Sequence, residues 1–510
     1  MEKIVLAGAL ILLLSILVGK AGSRFGLPSL LLFLGVGMFV GTDGLGLEFS
    51  SPVAAQFIGM LALSVILFSG GMDTKVEAIR PVAVPGVVMA TAGVALTTLV
   101  TGVLIYLLFS WFDDFVTLSL PESLLLAAVM SSTDSASVFS ILRSKDINLR
   151  ERLRPLLELE SGSNDPMAYL LTVVLISYIQ GSSNSAGGIA LMFSEQLAVG
   201  VLAGLILGRG IVWTVNHVNL NNGSLYSVLL LTMAFVVFGL TSVIGGNGYL
   251  AVYLAGMVVG NSRMAHKRSL GSFMEGYTWL WQIVMFITLG LLVNPREMVP
   301  VAVPGILIAL AMMFVARPLS VLICLAPFRG FSWHGRVYVA WVGLRGAAPI
   351  IFATYPLIAG VTHATMFFNI VFFVTLISLL CQGTTVAAAA RWLKLVGEAE
   401  PKREIEIELP EEIKSAVSEF AITDGILSKG NRLADLPLPA HTLAVMVKRG
   451  KQYFVPKGNT ELHDGDRLLV ISDRSSDLLK VYEALGVEEF TWEGDFMDKS
   501  YAAKQRRTQR

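Results

Sequence analysis

Cysteine is nearly absent: Cys324 and Cys381 are the two in 510 residues, and they form neither a CxxC nor a ligand cluster. Both lie in apolar runs and read as buried free thiols. Charge is scarce as well, since Asp, Glu, Lys and Arg make up 15% of the chain, less than a soluble surface of this size usually carries. No HExxH, GxSxG or Walker A run occurs, which removes the common nucleophile and metal constellations of a membrane enzyme; no cofactor or resident metal is expected. There is no TVGYG filter and no arginine-rich voltage sensor, so a channel lacks its parts. A GxGxxG strand–turn–helix is missing too, which excludes the nucleotide-binding half of a regulator domain.

What is there is apolar. Hydrophobic residues make up 54% of the chain and mean hydropathy is +0.68, values that imply insertion into a bilayer. Methionines such as Met60 and Met130, like most Phe and Trp, occupy apolar runs and need no role beyond packing or lipid contact. The first run, from Ile4 to about Val18, follows Glu2 and Lys3 without a small-residue cleavage site and reads as a retained span. Spans are expected near 4–20, 28–42, 54–71, 84–110, 121–142, 156–179, 187–208, 225–241, 246–261, 273–293, 301–325, 336–357 and 363–390. That is thirteen, and an odd count puts the two ends on opposite faces. With the N-terminus outside, one set of loops receives Lys20, Arg24, Lys75, Arg80, Arg143, Lys145, Arg150, Arg152, Arg154, Arg209, Arg263, Lys267, Arg268, Arg329, Arg336, Arg391 and Lys394. The opposite face receives Lys3 and Arg296 among the acids Asp43, Glu48, Asp113, Asp114, Glu122, Glu195 and Glu297, which satisfies the positive-inside rule and places residues after about 395 in the cytoplasm.

Two of these spans are interrupted. The fifth carries the polar run Ser131, Ser132, Thr133, Asp134, Ser135, and the twelfth, seven helices later, carries VGLRGAAPI. The arrangement six, one, six suggests inverted repeats with two broken helices crossing near the midplane, where freed carbonyls and helix ends form an ion site. The sixth span opens with PLLELESGSNDPMAYLL, in which Ser161 and Asp165 share a helical face four residues apart. A carboxylate at bilayer depth must be neutralised by a proton, a basic side chain or a bound ion. Asp165 combines hard oxygens with a titratable site, and Asn164 offers a neutral acceptor or orients the broken helix. A helix cap before Pro166 is the plainer alternative for this pair. Arg317 and Arg345 also lie in apolar sequence; either left unpaired would cost about 2.5–3.5 kcal/mol. Glu160 is the candidate partner for one of them, and the sequence leaves both open. His217, His266, His334 and His363 fall at loop or helix edges, where ordinary surface histidine is a plainer reading than a pH sensor.

Taken in order, FSGG (68–71), SSTDSASVF (131–139), ESGSNDP (160–166), AVYLAGMVVGN (251–261), ARP (316–318) and GLRGAAP (343–349) resemble the monovalent cation:proton antiporter-1 family over roughly residues 5–395. Within it the chain is most similar to bacterial NhaP-type potassium/proton antiporters, because its tail resembles the C-terminal half of potassium-channel regulator domains. The resemblance implies an all-α polytopic membrane protein of 13 transmembrane helices, a core domain rocking against a dimerisation domain, and electroneutral exchange of potassium for protons at one site by a homodimer in a bacterial inner membrane. It implies Asp165 as the essential ion- and proton-binding carboxylate, Asn164 as its partner, Thr133 and Asp134 on the broken helix, and Ser161 as a candidate cation ligand. One departure stands out. Some sodium-handling relatives carry a glutamate beside the glycines of the third span, where this chain has Phe68, Ser69, Gly70 and Gly71, which favours potassium and keeps sodium as the second candidate.

The tail changes character after Leu395. Expected are an antiporter domain over 1–395, a polar linker over 396–402, a small α/β cytoplasmic regulator-like domain over 403–486 and a partly disordered tail over 487–510. EIEIEL reads as a strand, PEEIKSAVSEF as a short amphipathic element, TLAVMVKRG, KQYFVP and DRLLVIS as strands, and SSDLLKVYEAL as a helix. Lys448, Arg449 and Lys451 offer an anion site for an unidentified regulatory ligand, against the plainer reading of a solvated hairpin. The basic end, SYAAKQRRTQR, is not expected to bind nucleic acid.

Overall fold

The protein is described here by a computed structural model, covering residues 2–25, 28–111, 116–145, 147–181, 186–397, 416–428, 430–436, 438, 442–450, 452–472 and 490–493. The chain divides into two compact units, residues 1–398 and 399–510.

The first unit is helical. Among the described residues six helices are long and apolar enough to cross a membrane: Pro52–Asp73, Val76–Trp111, Gly187–His217, Ser224–Val243, Ala302–Leu325 and Ala364–Trp392. Their starts follow local chemistry. Ser51 accepts from the Ala54 N–H with Pro52 in the first turn, Ser119 and Glu122 form a reciprocal capping box ahead of Leu120–Val129, and Asn247 caps Gly248–Asn261 by accepting from Leu250. Two further long helices, Leu153–Ile179 and Lys267–Leu291, are too polar for that set. Leu153–Ile179 holds Arg154, Glu158, Glu160 and Asp165, and it buries Glu160, Ser161 and Asn164 against protein.

Several helices outrun their expected spans. Ala186–His217 has 32 residues, about 48 Å at 1.5 Å per residue, against roughly 30 Å of hydrocarbon. Arg209, expected in a loop, therefore lies inside this helix, its guanidinium donating to the Leu205 carbonyl at 3.2 Å, and Lys267 and Arg268 open the helix Lys267–Leu291. Cys381 corrects the reading of both thiols as buried: Cys324 is buried, but Cys381 is exposed on its helix. An apolar run in a membrane helix has an outward face as well as a packed one.

Close backbone contact explains part of the glycine pattern. A Cβ on Gly256 or Gly260 would strike the carbonyl of Phe68 or Met72, and one on Gly71 would strike the Tyr253 carbonyl. The helices Pro52–Asp73 and Gly248–Asn261 thus meet backbone to backbone through small residues. Three short π-helical segments, Met89–Gly93, Met312–Ala316 and Leu379–Gly383, interrupt the α-helical ladder. The second directly precedes Arg317, and the third contains Gln382, so local widening accompanies a buried polar side chain in both.

The second unit is a five-stranded antiparallel sheet in the order β3-β2-β4-β1-β5, with β1 Ala416–Ala421, β2 Thr442–Arg449, β3 Gln452–Phe454, β4 Arg467–Ser472 and β5 Phe490–Glu493. Phe420, Ile422, Ile426, Leu436, Val447, Leu462, Leu468 and Val470 form its core. The end of the expected amphipathic element is β1, an interior strand bonded to β4 and β5, and part of the expected tail is β5. The EIEIEL strand, the SSDLLKVYEAL helix and the basic end lie outside the described residues.

Candidate functional site

The fifth span is two half-helices, Leu120–Val129 and Ser135–Ser144, separated by Ser131–Asp134 in non-helical conformation. The twelfth is Trp333–Trp341 and Ala347–Ile358, separated around Gly343–Gly346. The two breaks touch. The Asp134 N–H donates to the Leu344 carbonyl at 2.7 Å, and the Asp134 side chain lies where a Cβ on Gly346 would go. Arg345, buried, sends Nη1 to the carbonyls of Ser131 at 2.7 Å and Ser132 at 2.6 Å, while its own N–H donates to Ser378 Oγ at 2.9 Å. A cation thereby sits at the C-terminal end of the first half-helix, where unpaired carbonyls and the helix dipole favour positive charge.

The helix Leu153–Ile179 packs against the first break and is spliced to it by side chains. Ser161 Oγ donates to the Thr133 carbonyl at 2.8 Å and accepts from the Ser135 N–H at 3.0 Å. Asn164 Nδ2 donates to Thr133 Oγ1 at 2.5 Å, and Ser132 Oγ donates to Asp165 Oδ1. Asp134 accepts from the Ser137 N–H at 3.1 Å and from the Ser137 hydroxyl, which makes it the N-cap of Ser135–Ser144. Helix geometry runs unbroken through Asn164 and Asp165, with Pro166 inside, so the pair is not a helix cap. Pro166 lacks an N–H and leaves the Gly162 carbonyl without its helical donor. Asn247 Nδ2 binds the Pro166 carbonyl at 2.8 Å and ties the site helix to Gly248–Asn261.

Asn164 is fully buried, yet its Oδ1 has no hydrogen-bond partner within the protein. Beside it Asp165 is half-buried. One turn further along the helix, Tyr169 meets Tyr249 and Tyr355, with ring centroids 5.1 and 5.3 Å away. The result is a half-buried carboxylate, a free amide oxygen and a hydroxyl beside an unwound helix segment.

Arg317 takes Glu160, with Nη1 2.6 Å from Oε1 and both side chains buried. The contact is between charges and not an in-line hydrogen bond, since neither Glu160 oxygen nor Arg317 Nε has a hydrogen-bond partner. Of the expected residues, then, Asp165, Asn164, Ser161, Thr133 and Asp134 lie together, Arg345 braces the break they surround, and Glu160 and Arg317 form a separate pair. Ser132 was read as part of the polar run without a role at the site, and Ser378, Gln382 and Asn247 were not singled out. Ser378 donates to Gln382 Oε1 at 2.5 Å, and Gln382 Nε2 caps the Trp341 carbonyl at 2.8 Å; nothing local marks these two residues as partners of a break some forty positions earlier.

In the sheet unit, Arg449 is engaged by Asp466, with Nη2 2.7 Å from Oδ2, and Lys448 lies over the Tyr453 ring, while Lys451 is outside the described residues. Burial alone would raise the Asp466 carboxyl, but bonds from Arg449 and the His463 N–H outweigh it and hold Asp466 below the usual carboxylate range.

A family model described as sodium/hydrogen exchanger, transmembrane, matches residues 9–392, and one described as TrkA-C domain matches residues 417–486. The chain belongs to the sodium/hydrogen exchanger family, as a multi-pass membrane transporter with an appended TrkA-C domain. It is 37% identical over 478 residues to K(+)/H(+) antiporter NhaP2 of Shewanella oneidensis, covering 92% of this chain and 81% of that one. It is 39% identical over 392 residues to K(+)/H(+) antiporter NhaP of Alkalimonas amylolytica, covering 77% and 67% respectively. Among solved structures, the sodium proton antiporter MjNhaP1 of Methanocaldococcus jannaschii aligns with a TM-score of 0.66 at 23% identity, over 78% of this chain and 100% of that chain, a likeness of fold alone.

Proposed function

We propose that this chain is a secondary active antiporter that exports potassium in exchange for protons. The observation that carries the reading is Asp165, half-buried and held by Ser132 beside the unpartnered Asn164 Oδ1. A cation entering this site finds an anionic oxygen, an amide oxygen and a hydroxyl; a proton on Asp165 removes the charge that holds it. Competition between the two at one carboxylate is the minimum chemistry of exchange, and alternating access delivers the site to either face. Asp165 binds cation and proton, Asn164 and Ser132 complete its surroundings, and Ser161, Thr133 and Asp134 shape the unwound segment. Glu160–Arg317 is structural. Two relatives described as K(+)/H(+) antiporters, together with Ser69 in FSGG, support potassium over sodium.

One carrier carboxylate with Asn164 beside it supports one cation per proton, hence electroneutral exchange. The helices support thirteen crossings, the loop charges an N-terminus outside and residues 403–486 in the cytoplasm, and the paired breaks an inverted repeat. The reading includes a homodimer in a bacterial inner membrane and the division 1–395, 396–402, 403–486 and 487–510, with the sheet unit regulating exchange. The test is a cation screen in proteoliposomes, following pH with potassium, sodium, lithium and rubidium at matched ionic strength. Sodium-only exchange removes potassium and leaves the antiporter standing; rates and endpoints that follow an imposed voltage remove electroneutrality; passive flux without proton coupling removes the whole proposal.

A further inference from the structure

The loop between the first interrupted helix and the site helix is tied in two directions that the site does not use. Toward the chain's exit from the helical unit, Leu149 pairs with Val396 in an antiparallel bridge: the Arg150 N–H donates to the Leu395 carbonyl at 2.9 Å, and the Gly397 N–H to the Asn148 carbonyl at 2.8 Å. The exit is aimed into this pairing by the end of the helix Thr384–Trp392, where Lys394 takes a left-handed φ of 56° and the Leu395 N–H returns to the Ala390 carbonyl at 2.9 Å. Toward the second interrupted helix, Glu151 Oε2 accepts from the Ser332 N–H at 3.0 Å and lies against Gly335, over the first turn of Trp333–Trp341. An acid there meets the free N–H groups and the positive end of the dipole.

Between these ties the backbone is strained. Glu151 and Arg152 are consecutive non-glycine residues in the left-handed region, at φ 60° and 56°, a conformation that persists only where the surroundings over-determine it. Arg152 is followed directly by Leu153–Ile179, the helix that carries Ser161, Asn164 and Asp165. Three elements therefore converge on five residues: the strand leaving the helical unit, the start of the second interrupted helix and the start of the site helix.

We infer that residues 148–152 are a joint linking the segment 395–397 to the second interrupted helix and to the site helix, with Glu151 as a positioning residue for transport. A displacement of 395–397 moves Asn148 and Arg150 through two backbone bonds. Glu151 carries that motion to Ser332, and the Glu151–Arg152 kink carries it to the site helix. The inference rests on the exchanger reading but not on which cation is exchanged.

The test uses the full chain in proteoliposomes, with potassium, or with sodium if the parent exchanges only sodium. Glu151→Ala should raise the half-saturating cation concentration several-fold with little change in maximal rate, and Glu151→Gln, whose amide oxygen still accepts from Ser332, should restore the parent value. Gly397→Pro removes the donor to Asn148 and should shift the same parameter in the same direction. The double variant Glu151→Ala/Gly397→Pro should be no worse than the more affected single one, because coupled positions are not additive. Parent kinetics in either single variant, equal damage from Ala and Gln at 151, or effects that multiply would each overturn the joint. If the variants do not insert, Leu149→Cys/Val396→Cys decides in a background with Cys324→Ala and Cys381→Ala. The pair is flanked by its two hydrogen bonds, the spacing at which Cα atoms lie about 4.5 Å apart and a disulfide forms readily. Spontaneous cross-linking supports the ladder, and its absence overturns it. A parent that exchanges no cation fails the function proposed above, before any variant is compared.

Discussion

Between Leu120 and Ser144 the chain breaks at Ser131–Asp134 and puts an acid at the head of the second half-helix; between Trp333 and Ile358 it breaks at Gly343–Gly346 and puts an arginine there. The first break is written in side chains. Asp134 caps its own half-helix, and Ser132 and Thr133 reach the helix carrying Asp165. The second has no side-chain cap at Gly346 and is written in backbone and space, which the Asp134 side chain fills. Arg345 meanwhile crosses to the carbonyls of Ser131 and Ser132. Each break thus supplies what the other lacks, acid at one helix start and cation at one helix end, and the site faces the break that has the hydroxyls.

The asymmetry can be tested most severely at Asp165, the acid that the side-chain-rich break holds through Ser132. Asp165→Asn should insert normally and abolish proton-coupled exchange in vesicles; full exchange by a correctly inserted variant would remove the carrier role. Next in size is Arg345→Ala. It strands the buried Ser131 and Ser132 carbonyls at about 1–3 kcal/mol for each unsatisfied group, so thermal unfolding in detergent should fall by several degrees and exchange should fall with it. Gly346→Ala presses a methyl group onto Asp134, an overpacking that costs about 1–3 kcal/mol; the paired change Gly346→Ala/Asp134→Ala should recover part of that stability if the contact is the cause.

Asp134 itself separates the cap from the carrier. Asp134→Ala should cost about 1 kcal/mol as a lost N-cap, while Asp134→Asn keeps an oxygen for the Ser137 N–H and should be close to neutral in stability. Exchange by Asp134→Asn that is voltage-dependent where the parent is not would show a second titrating acid and break the contrast between the two carboxylates. The smallest effect is expected at Asp466, a carboxylate outside both breaks. Its folded value lies below the ordinary one, so its stabilisation is complete above the unfolded value of about 3.9 and is lost as pH falls through the folded value. Protection factors of the β1 and β4 amides, corrected for intrinsic exchange, should therefore fall below about pH 4 in the parent, and Arg449→Ala should shrink that acid step by removing the largest of the interactions that lower the Asp466 value.

The same contrast explains which parts of the molecule could be read in advance. Ser131–Asp134 stands out as a polar run in apolar sequence, and Ser161, Asn164 and Asp165 follow at helical spacing, so the site side of the arrangement was visible as residue chemistry. Glycine and a lone arginine in GLRGAAP say that a helix is interrupted and do not say what crosses the gap. Helix ends in the polar loops were misjudged, as with Arg209, because hydropathy marks where hydrocarbon ends while helical hydrogen bonding continues in water. Cys381 was taken as buried because hydropathy does not distinguish a face toward protein from one toward lipid.

Sequence alone determined the membrane-spanning character and the two interruptions, because both rest on local composition, while the regulator-like tail and the grouping of Asp165, Asn164, Ser161, Thr133 and Asp134 came from motifs that resemble a family. Only the tertiary structure decided that Arg317 takes Glu160, that Arg345 braces the opposite break, that Ser132 holds Asp165 and that Glu151 reaches Ser332. Those choices join residues 33 to 214 positions apart. Charge and hydrogen bonding make many such pairings favourable, and packing leaves one geometry in which they are all made at once.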